Sequence, residues 1–173
     1  MNISRVKIYD ALFTLISGYI TANYAKYTGV PEFATLSKVY RPFEKGLSDQ
    51  QPAFYLTPGA ESGDQDNTGF GITRWELEFY AIILLNLDPK QQSPTAGEVL
   101  LSVIDMIDDA MFNNGRPQDL SSQNNNKPMV TNVWIDHRAG KIEVRVPIIN
   151  PQGAIVIPIT VLTSTQLNGR RTQ

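Results

Sequence analysis

The chain has no cysteine and a single histidine, His137, among its 173 residues. Disulfides, thiolate metal sites and thiol nucleophiles are thereby excluded, and a Ser-His-Asp triad could be built around no other imidazole. Charge of one sign is not in excess: 15 Lys+Arg stand against 17 Asp+Glu, for a net charge of −2. That balance argues against a nucleic-acid binder, which usually carries a clear basic surplus. Long apolar runs are missing too. The longest, residues 79–85, is far too short to span a bilayer, so no membrane partner is expected. The opening MNISRVKIYDALFTLISG keeps Lys7 and Asp10 among its apolar residues and lacks a signal-peptide cleavage pattern. It reads as a protein made in the cytoplasm and used there, or carried out of it within an assembly.

What is present is enough apolar material for a core. At 42% hydrophobic and 18% charged, the chain falls among globular rather than disordered sequences. Its length suits one domain, residues 1–165, followed by a short C-terminal tail, 166–173.

The first expected element is a helix over residues 4–24. Ile8, Ala11, Leu12, Leu15, Ile16, Tyr19 and Ala22 recur at helical spacing, and a second stripe of Tyr9, Phe13, Ile20 and Tyr24 runs beside them. Together the stripes cover more than half the circumference, so the helix is covered on more than one side, by its own domain or by a neighbouring subunit. Extended segments are expected at 34–41 and 53–57. Residues 72–85 read as a long strand, with Thr73, Trp75, Leu77, Phe79, Ala81 and Ile83 on one face and Arg74, Glu76 and Glu78 on the other. From Tyr80 onward both faces are apolar, which predicts cover on both sides.

A second helix follows, with Ser93 as its expected N-cap, Pro94 in its first position and Gly115 beyond its end. Ala96, Leu100, Val103, Ile104, Ile107 and Met111 form its core stripe, and Glu98, Ser102, Asp105 and Asp109 lie opposite. A strand is expected over 129–137. Last comes a hairpin: Ile142, Val144, Val146 and Ile148, a turn at Asn150-Pro151-Gln152-Gly153, then Ile155, Ile157, Ile159 and Val161. Closing it on that turn pairs Ile148 with Ile155, Val146 with Ile157, Val144 with Ile159 and Ile142 with Val161, all eight on one face. Pro147 and Pro158 place part of the hairpin at an edge or a bulge. The expected fold class is α+β: a mostly antiparallel sheet of about six strands, with a C-terminal hairpin and two long helices packed on one face.

The search for chemistry is short. Asp136 precedes His137, but adjacent strand residues point to opposite faces. Glu76 and Glu78 share a face, yet Arg74 lies beside them and a solvated, charged strand face explains all three. The glycines at 59, 63, 69 and 71 match neither a phosphate loop nor a dinucleotide fingerprint, and Asp64 and Asp66 lack the ligand ladder of a calcium loop. No catalytic residue, metal or cofactor is expected. Two polar stretches, 58–71 and 113–128, read as long loops, a length usually reserved for function or disorder. The stripe Glu98, Asp105, Asp109 has no compensating base at helical spacing. It reads as a solvated face, or as a surface turned to a basic neighbour or an acidic channel wall.

The order of these pieces resembles the tail terminator (tail completion) proteins of long-tailed bacteriophages, of the minor tail protein U type. The likeness rests on the N-terminal helix, a strand ending near Arg41-Pro42-Phe43, and the extended Gln51-Pro52-Ala53-Phe54-Tyr55-Leu56. It continues with the strand bearing Trp75, the Ser93-Pro94 helix and the aliphatic hairpin. What the resemblance implies is a structural virion protein. It forms a homo-oligomeric, sixfold ring at the head-proximal end of the tail tube, stops tube polymerisation and joins the head connector, while DNA passes through the lumen unread. On that reading the protein belongs to the virion and, during assembly, to the host cytoplasm. Its partners are further copies of itself, the tail tube protein and a neck protein. Candidate subunit or tube contacts are Tyr9, Phe13, Phe70, Arg116, Arg170 and Arg171. Glu98, Asp105 and Asp109 are the candidate acidic lumen or partner-facing stripe. Another neck component, a stopper or adaptor, and a small hydrolase using Glu76 and Glu78 are the competing expectations.

Overall fold

The computed structural model describes residues 5–40, 50–65, 72–113, 116–117, 120, 133–135, 141–148 and 151–166. Helix α1 (Arg5–Asn23) falls within a residue of expectation at each end. Ile8, Leu12, Ile16 and Ile20 are fully buried along it, and Tyr9 is only 3% exposed. Both apolar stripes are therefore used within the chain's own fold, at least in part: Phe13, Leu15, Tyr19 and Tyr24 lie half-buried against the same core.

A six-stranded sheet lies beneath. It comprises β1 (Thr35–Lys38), β2 (Ala53–Gln65), β3 (Ile72–Asn86), β6 (Val133–Ile135), β7 (Glu143–Arg145) and β8 (Gln152–Gln166). Its order is β1-β2-β3-β8-β6, with β7 also paired to β8. Among the described strands only the β1–β2 pairing is parallel. Two further short strands, β4 (Phe112–Asn113) and β5 (Arg116–Pro117), pair with each other. Helix α2 (Ala96–Met111) runs between β3 and this small pair. Phe54, Leu56, Leu77, Phe79, Ala81, Ile83, Leu85, Ile155, Ile157, Ile159 and Val161 point from one sheet face into a single cluster with both helices. The architecture is two layers, with helices on one face of a mostly antiparallel sheet.

Three local expectations are corrected. The polar stretch after residue 57 is not all loop, because β2 continues to Gln65 against the full length of β3. A β-bulge makes this possible. Pro58 stands opposite Phe79 and Glu61 opposite Leu77, so Gly59 and Ala60 together face Glu78 alone. Gly59 also lets the Tyr80 ring lie across the backbone; a Cβ there would stand 2.6 Å from Tyr80 Cε2.

The N-cap of α2 is Thr95, not Ser93. Thr95 Oγ1 accepts from the Glu98 N–H at 3.3 Å, and Glu98 Oε2 accepts from the Thr95 N–H at 2.7 Å. This capping box satisfies two donors at once. Capped at Ser93, the helix would have Ala96 at the third position, with no side chain to return the bond. Thr95→Ala is expected to lower the unfolding free energy by about 1 kcal/mol in urea titration, and Thr95→Ser to retain most of it.

The hairpin register is the third. Val144 stands opposite Ile155, Glu143 opposite Val156 and Arg145 opposite Ala154, four residues from the expected pairing. An even displacement keeps the face of each side chain but moves the strand along its partner. Ile155, Ile157, Ile159 and Val161 are fully buried, whereas Val144, Val146 and Ile148 are 42%, 46% and 85% exposed. The cause is the connection. Pro147 is buried and packs beside Gly153, where a Cβ would stand 3.6 Å from Pro147 Cδ, so the chain turns more widely than a four-residue turn allows. Among the described residues none pairs with the flank of β8 at Pro158: β7 pairs residues 154–156 and β6 pairs 161–163.

The expected cover on the second face of β3 is found in part. Leu84, Ala53 and Tyr55 form a separate buried cluster with Val39, Ile82 and Ala154 at its margin.

Candidate interaction surfaces

An apolar hollow of about 220 Å³ lies between the start of α1 and the β2 bulge. Val6, Tyr9 and Tyr40 line one side, and Pro58, Leu77 and Phe79 the other. Helix periodicity brings Arg5, Val6 and Tyr9 to this side of α1, and strand alternation brings Leu77 and Phe79 to the facing side of β3. Tyr9 anchors the arrangement. Its ring stacks on Phe79 with centroids 5.6 Å apart, and its hydroxyl donates to the Leu56 carbonyl and, at 3.2 Å, to the Val39 carbonyl. Burial, more than any other cause, pushes the Tyr9 phenol well above its usual range. Arg5 closes the rim in a two-pronged ion pair with Glu61.

The hydrogen bonds from Arg5 hold the Glu61 carboxyl below the usual carboxylate range, against a smaller opposing effect of burial. A carboxylate with a depressed folded-state pKa contributes stability above its unfolded pKa and loses it as pH falls through the folded value. With the two side chains 57% and 32% exposed, screening keeps the contribution under about 1 kcal/mol. Arg5→Ala should therefore destabilise slightly at neutral pH and progressively less as the pH falls below the usual carboxylate range. Urea midpoints of both proteins across that range test this; a difference that grows in acid would refute it.

The residues expected to make contacts fare unequally. Tyr9 is buried in its own domain, and Phe13 is half-buried, stacked on Phe54 at 6.3 Å and approached by Lys38, which is also paired with Asp10. For Tyr9 the intramolecular alternative of the helix reading is the one realised. Arg116 lies on β5, at the small two-stranded pair. Phe70, Arg170 and Arg171 lie outside the described residues. Two of the three acidic stripe residues have internal partners. Glu98 completes the capping box, and Asp109 accepts from the Tyr27 hydroxyl at 2.6 Å, with Tyr19 and Tyr27 hydroxyls 2.9 Å apart. Asp105 is exposed, with no such partner among the described residues. The structure does not bring the stripe and the aromatic contacts into one site.

Glu76 and Glu78 do share a face, the one turned away from the helices. They border a shallow polar hollow of about 220 Å³ with Ser62, Glu61 and Thr160. Glu78 accepts from the Tyr80 hydroxyl, which raises the phenol's pKa, and receives the Ala60 N–H at 3.4 Å. Its carboxylate thus finishes the bulge, a structural role. Among the described residues no group of three or more His, Asp or Glu side chains is placed to hold a metal, and no helix is long and apolar enough to cross a membrane.

Sequence reading missed the exposed apolar groups: Val6 at 56%, Tyr40 at 62%, Leu101 at 60%, and the row Val144, Val146, Ile148. The last three carried a signal in the two prolines, whose place at an edge was legible while the register was not. No family model and no curated protein matches this sequence.

Proposed function

We propose that the chain is a structural subunit that assembles with copies of itself into a ring at the end of a phage tail tube, halting tube growth and offering a surface for joining to the head. The observation that carries the reading is the order and spacing of elements: helix, Gln51-Pro52-led strand, polar excursion, Trp75 strand, second helix, aliphatic hairpin. Its support from the folded chain is of a different kind. Large apolar groups stand in the open at three places, namely Val6 and Tyr40 together at the hollow beside Tyr9, Leu101 on α2, and the 144–148 segment. Of these the 144–148 row is contiguous, and a contiguous apolar strip, unlike a singly exposed side chain, gives a neighbouring subunit something to cover.

The test is assembly of tails with and without this protein. Tubes made in its absence are expected to run to uncontrolled length, and electron microscopy of tubes incubated with it should show a sixfold cap at one end. Tails of uniform length without the protein would sink the reading.

A further inference from the structure

Strand β7 lies at an edge of the described sheet. It pairs with β8, and among the described residues no strand pairs with its other side. Unpaired edges are normally blunted by charge, and β7 does carry Glu143 and Arg145 along one face, with Lys141 just before it. Yet the opposite face presents Ile142, Val144 and Val146, and Val144 and Val146 remain 42% and 46% exposed although they extend the row that begins inside with Ile155. Glu143 and Arg145 are both exposed, and neither is held in an ion pair among the described residues.

The signs of these charges distinguish this edge from a merely protected one. Pair two copies antiparallel with the two-fold axis at Val144. Glu143 of each then stands opposite Arg145 of the other, Ile142 opposite Val146, and the two Val144 side chains meet across the axis. Both opposite-charge pairs fall on one face and all the aliphatic groups on the other. A blunting pattern would set like charges opposite in this register; this one does the reverse. We infer that β7 is a two-fold contact at which a second copy of this chain adds its own β7, continuing the sheet from one molecule into the next. The contact is independent of any ring. It is self-complementary and closes at two copies, and its occupant is fixed by charge complementarity.

The experiment is sedimentation of the full chain over a wide concentration range, with charge-swap variants checked for fold by circular dichroism. The chain should show a monomer–dimer equilibrium. Glu143→Arg and Arg145→Glu should each raise the dimer dissociation constant by roughly tenfold, since each turns both ion pairs repulsive. An equimolar mixture of the two variants should recover the original affinity, because every cross-pair is again of opposite sign. A chain monomeric at all concentrations overturns the inference. So does an oligomer indifferent to either swap, or a mixture that associates no better than its components. Tail-length control is scored separately and can fail or hold whatever the dimer does.

Discussion

Phe54→Ala should lower the unfolding free energy by about 3–5 kcal/mol, the largest loss expected from one side chain here. Phe54 is fully buried on the helix-facing side of β2, opposite Leu36 on β1 and Ile83 on β3. Its ring stacks against Phe13 of α1 at 6.3 Å between centroids. Truncation therefore removes contacts with two strands and a helix together, and the neighbours are anchored by sheet pairing that prevents collapse into the void. Phe54→Leu retains most of the volume and should lose less than half as much. Urea unfolding followed by fluorescence and by circular dichroism measures both. A loss under about 1 kcal/mol for the alanine variant would show that the site repacks and that the core is not built around this ring.

Gly29→Ala comes next, at about 2–4 kcal/mol. The residue has φ +70°, the left-handed region in which a Cβ is strained. Space is missing as well: a Cβ there would stand 2.5 Å from Pro94 Cγ and 2.8 Å from Val99 Cγ2. The segment from α1 to β1 passes directly over the start of α2 at this point, so the new methyl group must push the two apart. Removing the nearer obstacle gives a control. In a Pro94→Ala background the same substitution should be milder, leaving mainly the backbone strain. If the two losses simply add, the collision with Pro94 is not what makes Gly29 necessary.

These two sites mark what the sequence does and does not convey. Phe54 was placed only in an extended segment with no face assigned, whereas the row Leu77, Phe79, Ala81, Ile83 was legible because alternation assigns a face to each residue and burial follows the face. The α1 stripes and the fold class were legible for the same reason, and the parallel β1–β2 pair was not, since pairing partners leave no periodic trace. Gly29 was invisible: the collision is between residues 65 positions apart, and nothing local marks it. The α2 cap was misplaced because Ser93-Pro94 is a strong dipeptide signal that masked the reciprocal Thr95–Glu98 pair two residues on. The hairpin was misregistered by four residues because parity is written in the sequence and offset is not. A buried Pro147 lengthened the turn, which left Val144, Val146 and Ile148 in the open. The exposed apolar groups that bear on assembly were missed for a common reason: composition counts an aliphatic side chain as core wherever it sits.

The extra residue at Gly59–Ala60 reverses which side chains of β2 point toward the helices. Up to Pro58 the even-numbered positions face inward, and from Glu61 the odd ones do. Glu61 thereby reaches Arg5, and Ser62 looks the other way, toward Thr160. Deleting Ala60 alone would restore an unbroken ladder, with Gly59 alone opposite Glu78 and Glu61 still opposite Leu77 on the helix-facing side, within reach of Arg5. At this point of the chain the loss of one residue leaves the facing of the strand beyond it unchanged, whereas the same loss at a regularly paired position of β2 would exchange the two faces of every residue that follows.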